Sequence, residues 1–206
     1  MILSFNFLAA VLSPPARVIS RLFVGFWLFV SLACAPFATQ AADGIEFVEA
    51  NVDFTDEGYR LSTEFSLELT RSLEEALVRG VPLYFTTQVE ISRPRWYWFD
   101  DVAVSKTRTV RISYNLLTRQ YRAAVDGNLY RTFSKLEEVL ALLRRPSRWI
   151  IADSNALKRG ETYTVALQMG LDVAQLPKPI QVSAISSNDW RLSSGWMRFP
   201  LKAEGK

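Results

Sequence analysis

Residues 59–69 read Y-R-L-S-T-E-F-S-L-E-L. Tyr59, Leu61, Phe65, Leu67 and Leu69 share one face, and Arg60, Ser62, Glu64, Ser66 and Glu68 the other. A period of two with one apolar and one polar side describes an antiparallel strand that is wet on one face. The same alternation precedes it, with Val48, Ala50, Val52 and Phe54 set against Glu49, Asn51 and Asp53. The T-D-E-G between the two runs supplies a turn, Gly58 being free to take positive φ, so the two runs predict a hairpin.

The pattern recurs along the chain. After Pro82, Leu83, Phe85, Val89 and Ile91 alternate with Tyr84, Gln88 and Glu90, and 102–104 reads as a continuation beyond an aromatic corner. Residues 107–116 set Val110, Ile112, Tyr114 and Leu116 against Thr109, Arg111, Ser113 and Asn115. Residues 120–125 and 129–133 flank Asp126-Gly127, a strong hairpin signal. Further strands are predicted at 149–152, at 162–171 with Tyr163, Val165, Leu167, Met169 and Leu171 inward, at 180–185 and at 191–201. Two short helices interrupt the strands. One opens on a Ser72/Glu75 capping box and stops at Gly80; the other opens on Ser134/Glu137 and stops before Pro146. The expected fold is mainly β, an antiparallel sandwich or partly closed barrel of about 8–10 strands with two short helices.

In 206 residues, 49% of them hydrophobic, there is room for one such domain and a targeting segment. Residues 1–21 carry Arg17 and Arg21 and no acid; 22–35 is an uncharged apolar run; small residues at Thr39 and Ala41 follow. That order is the order of a signal peptide over 1–42, with an uncleaved N-terminal membrane anchor as the alternative. Residues 43–206 are then a single β-rich domain, expected in the periplasm or tethered facing it.

Composition removes several chemistries. The chain has no histidine, and its only cysteine, Cys34, lies in the apolar leader. A domain from residue 43 has no thiol nucleophile, thiolate metal site or internal disulfide, and lacks the usual near-neutral base. No cofactor or metal site is expected, and no nucleic-acid motif is present.

The sequence R-P-R-W-Y-W-F-D-D at 93–101 is the densest candidate for a site. Trp96 and Trp98 with Arg95 could stack on a ligand or anchor an interface. The competing interpretation is a strand that crosses between two sheets and buries both faces, with one exposed edge left to bind. Asp100 and Asp101, adjacent on a strand, would point to opposite faces and could not share one substrate. Charge is segregated as well. Residues 43–92 hold three Arg against eleven acids, whereas 93–160 hold fourteen Lys and Arg against six. Arg108 and Arg111 belong to that basic half and support the corner as binding residues. Either the acidic hairpin pairs with the basic strands, or a basic face meets anionic lipid, glycan or an acidic partner.

F-S-L-E-L in the acidic hairpin, R-I-S-Y-N-L-L-T-R-Q-Y and the closing W-R-L-S-S-G-W-M-R-F resemble the exported proteobacterial proteins grouped as domain of unknown function 4390. The resemblance spans about residues 45–200 and brings no active site. It implies an association with genes for membrane sensor kinases, and so a sensor kinase as one candidate partner. The function expected is a non-enzymatic binding domain of the envelope. The alternatives are a carboxylate-based enzyme on envelope glycan and a structural or assembly factor; oligomeric state is not legible.

Overall fold

The computed structural model describes residues 44–95, 97, 100–146 and 148–204. The expected leader at 1–42 lies outside them. No helix among the described residues is long and apolar enough to cross a membrane.

The two alternating runs pair as expected. β1 (Ile45–Thr55) and β2 (Gly58–Leu67) form a hairpin, and β7 (Trp149–Ala152) adds antiparallel to the other side of β2. The second sheet is larger. β3 (Leu83–Arg93), β4 (Asp101–Asn115), β5 (Gln120–Val125) and β6 (Arg131–Phe133) form a meander, and β8 (Thr162–Leu171) and β9 (Met197–Lys202) extend it past β3, in the order β6-β5-β4-β3-β8-β9. All its pairings are antiparallel. The mainly β expectation is borne out: the described residues form nine strands in two sheets, with no closed barrel among them.

The inward rows of both sheets make one core. Tyr59, Leu61, Phe65 and Leu67 of β2 join Leu83, Phe85, Val89 and Ile91 of β3, Ile112 of β4, and Val165 and Leu167 of β8. The helices close its margins. α1 (Arg71–Val78) contributes Leu73 and Leu77, and α2 (Leu136–Arg144) contributes Val139, Leu140 and Leu143. The Arg144 guanidinium reaches back from α2 and donates twice to the Leu67 carbonyl, at 3.0 and 2.7 Å. Such charge-assisted bonds to a main-chain oxygen fix a helix end firmly against a strand end.

Several local expectations are corrected. Val48 is 62% exposed because the β1–β2 register slips between Phe47 and Glu49. A bulge inserts one extra residue, so Ile45 and Phe47 before it and Ala50, Val52 and Phe54 after it all face the core. Leu116 is exposed rather than inward. Residues 102–104 do not continue β3; they belong to β4, which doubles back beside it. Residues 180–185 form no strand but most of a third helix, α3 (Lys178–Ser186). Pro179 is suited to its first turn, Ile180 and Ala184 turn toward the core four residues apart, and Val182 is left exposed. The stretch 191–201 is strand only from Met197, since Gly195 takes a φ of 65° just before it. The caps differ too. Thr70, not Ser72, caps α1, its Oγ1 accepting from the Leu73 N–H. Ser72 bonds Asp189 instead. α2 begins after Lys135 with no side-chain cap, and the Ser134 N–H is taken by the Glu138 carboxylate.

Candidate functional site

The aromatic corner is the connection of the β3–β4 hairpin. β3 ends at Arg93, Pro94 offers no N–H to extend the ladder, and pairing resumes with Arg93 opposite Asp101. The expected crossover between two sheets is therefore replaced by a hairpin whose two strands lie side by side in one sheet. Trp96 and Trp98 lie outside the described residues. Tyr97 between them is 66% exposed, and Val102 at the foot of the loop is exposed as well.

The foot of this loop is ionic. Arg93 donates to Asp101 at 3.0 Å and to Glu161 at 2.9 Å. Arg95 pairs with the same Asp101 carboxylate. Glu161 also accepts from the Tyr163 hydroxyl at 3.3 Å, and Tyr163 accepts from the Lys158 N–H at 3.1 Å. The network ties the hairpin end to the start of β8. The hydrogen bond from Arg95, then that from Arg93, holds the Asp101 carboxyl below its ordinary range. Arg93 is held above its own ordinary value, first by Asp101 and then by Glu161.

A pH dependence follows. A carboxyl whose folded pKa is depressed stabilises the fold above its unfolded pKa, and the contribution is lost as pH falls through the folded value. The hairpin foot is therefore expected to hold at neutral pH and to loosen below about pH 4. Protection of the Arg95 and Asp101 amides, each rate taken relative to the unfolded chain at the same pH, should fall there, and Asp101→Asn should reproduce the loss of protection at pH 7. Exchange indifferent to both changes would show that the network does not restrain the loop.

The candidate arginines do not converge. Arg95 is at the hairpin foot, while Arg108 lies seven residues along β4 from Asp101, about 23 Å at strand rise. Arg108 and Arg111 are three apart and so point to opposite faces. Arg108 lies over the Trp149 ring at 4.7 Å, with Asp126 at 3.7 Å, and burial pushes its guanidinium down from the ordinary value. Arg111 stands on the outer face, donating to the Tyr130 hydroxyl at 2.7 Å, with the Tyr84 and Tyr130 rings each 5.7 Å away. Sequence reasoning missed Glu161 and Tyr163. Nothing in their spacing from residue 93 marks them, because β8 reaches β3 only through the tertiary fold.

Charge segregation persists in space. The acidic β1–β2 hairpin shares its sheet with β7, whereas the basic β4 and β5 lie in the other. Among the ion pairs of the described residues, Arg145 to Glu64 at 2.6 Å links the acidic hairpin to the basic segment. No three of His, Cys, Asp and Glu come together among those residues to hold a metal ion.

A family model described as "Domain of unknown function (DUF4390)" matches residues 42–200, bearing out the resemblance drawn from the sequence. No curated protein and no solved structure matches the chain.

Proposed function

We propose that this chain, which belongs to the DUF4390 family, is a non-enzymatic binding domain that works in the bacterial envelope after export. It docks through the β3–β4 hairpin tip on an envelope protein, a membrane sensor kinase being one candidate, or on an anionic lipid or glycan surface. The signal-like leader supports the location. The observation that carries the reading is a fixed foot beside the exposed ring of Tyr97. Asp101 is clamped by two arginines, and Tyr97, flanked in sequence by Trp96 and Trp98, stands 66% exposed. A preorganised aromatic anchor is the usual core of an interface. The same clamp argues against Asp101 as a general acid, because a carboxyl with a depressed pKa is a poor proton donor near neutral pH.

The test is co-sedimentation of the purified domain with envelope membranes and with protein-free vesicles of anionic lipid. Trp96→Ala should weaken retention about tenfold, the loss typical of one anchoring aromatic, while Asp100→Asn leaves it unchanged. Retention on membranes but not on bare vesicles points to a protein or glycan partner. The reading fails if Trp96→Ala has no effect, or if Asp100→Asn abolishes the domain's cellular role with its fold intact.

A further inference from the structure

We infer that the outer side of the β4–β5–β6 corner, on the half of β4 away from the hairpin tip, rests on the surface of an anionic lipid bilayer. The inference rests on the envelope location proposed above and separates two duties, lipid at this corner and a protein partner at the tip. Asp101 beside the tip and Asn115 at the corner are the two ends of β4, about 46 Å apart at strand rise.

The apolar part of the corner is two leucines. Leu117 and Leu129 are 95% and 94% exposed, the highest values among the exposed large apolar side chains of the described residues. Leu116 and Tyr130 beside them are exposed as well. Leu117 precedes β5 and Leu129 follows it, so the length of that strand, about 17 Å, lies between them. Neither leucine sits on slack chain. The Asn115 side chain accepts from the Leu117 and Thr118 N–H groups at 3.0 and 3.2 Å. The Tyr130 hydroxyl accepts from Arg111 at 2.7 Å and ties the segment after Leu129 to the sheet.

The polar part is cationic. Residues 111–135 hold Arg111, Arg119, Arg122, Arg131 and Lys135 against one acid, Asp126. Among the described residues no acid forms an ion pair with any of the five. Arg122 lies opposite Ser113, the next outward residue of β4 after Arg111, so the two arginines share the outer face. The acids around the corner are engaged or belong to the inward side. Asp126 accepts from the Thr109 N–H and stands 3.7 Å from Arg108. Asp172, bonded through its N–H to the Tyr84 carbonyl, accepts from the Ala174 N–H and the Gln175 amide. Glu137 pairs with Arg144, Glu138 accepts from the Ser134 N–H, and Glu74 bears on Tyr121 of the inward row.

The combination selects the partner. An acidic protein or a nucleic acid would answer the cations but leave two leucines, a strand's length apart, in water. A bilayer answers both, its phosphates meeting the arginines while the leucines and Tyr130 enter at headgroup level. A second copy would set the same cations against one another.

Residues 44–204 contain both sheets and the core between them, so the domain is tested without the apolar leader. The probe is vesicles of phosphatidylcholine with and without phosphatidylglycerol, and the readout is flotation. The domain should float with the anionic vesicles alone and be released by salt. Leu117→Ser and Leu129→Ser should each weaken flotation severalfold, with circular dichroism and the unfolding midpoint unchanged because both side chains are exposed. Arg122→Glu should weaken it about twentyfold, a change of two charges at roughly fivefold each. Should Arg122→Glu unfold the domain, Arg119→Glu in the exposed turn carries the charge test. Trp96→Ala should leave flotation unchanged. The inference is overturned if anionic vesicles do not carry the domain, or if neutral ones carry it equally well. It is overturned too if charge reversal releases the domain while both leucine variants float normally, the pattern of an acidic protein or polyanion. Flotation that depends on Trp96 and not on the leucines moves the lipid contact to the tip and ends the proposal. Leucine effects on vesicles, without a Trp96→Ala effect on envelope membranes, uphold the corner and sink the tip.

Discussion

Leu67→Asp is expected to leave no cooperatively folded domain. Leu67 is 1% exposed on the inward row of β2, opposite Ile45, where the core of both sheets meets. Losing its side chain forfeits about 1.5–3 kcal/mol of apolar burial. Placing an ionisable group there without a partner costs several kcal/mol more, whether it stays charged or is forced to protonate. The sum approaches or exceeds the ~5–15 kcal/mol by which whole domains are stable. Denaturant titration followed by circular dichroism should show no sigmoidal transition. Leu67→Met, which keeps volume and polarity, should cost less than about 1.5 kcal/mol. Because the Leu67 carbonyl that receives Arg144 belongs to the main chain, both variants retain that acceptor. A normal transition in Leu67→Asp would refute the placement of β2 at the centre of the core.

Gly58→Ala should cost about 3 kcal/mol, adding backbone strain to a clash. Gly58 opens β2 with a φ of 123°, a conformation L-residues rarely adopt, and a Cβ there would lie 2.3 Å from the Ala152 carbonyl oxygen. That oxygen is backbone in β7, so relief requires the strand to shift. Gly127→Ala supplies the control. Its φ of 74° carries similar strain, but no atom lies within 4 Å of the added carbon, so only about 1–2 kcal/mol should be lost. The difference between the two isolates the close approach of β2 to β7. Urea midpoints should show it, and amide exchange at Ile150 and Ala152 should rise in Gly58→Ala alone. Equal costs at the two positions would mean that β7 yields freely.

Much of this architecture could be read from period-two patterns, and the exceptions have specific causes. Tyr59 to Leu67 and Leu83 to Ile91 alternate without interruption, and their buried rows are those expected. β1 misled at Val48 because a bulge switches the inward parity mid-strand without marking the residue types. The 180–185 segment misled because Ile180, Val182 and Ala184 fit a strand alternation, whereas the helix that forms buries only Ile180 and Ala184, four apart, and leaves Val182 exposed. The tip was visible as a run of aromatics, but its location on a hairpin depended on β4 doubling back, and 102–104 also reads as a straight continuation. The clamp beneath it was invisible, since Glu161 enters from a strand far along the chain. Arg108 and Arg111 were legible as cations on opposite faces of one strand; their partners Trp149, Asp126 and Tyr130 came only with the tertiary fold.

The place of β7 in the small sheet has a consequence in time. The meander from β3 to β6 and the β1–β2 hairpin join strands that are neighbours in sequence, so their loops close at low entropic cost and early. The seam where Leu61 meets Trp149 must wait until the intervening chain has been laid down. Strain introduced at Gly58 would then be felt mainly after the folding barrier, raising the unfolding rate and leaving the folding rate nearly untouched. The β2–β7 seam, like the β3–β8 pairing, joins segments far apart in the chain and is expected to close after the local hairpins and to open before them.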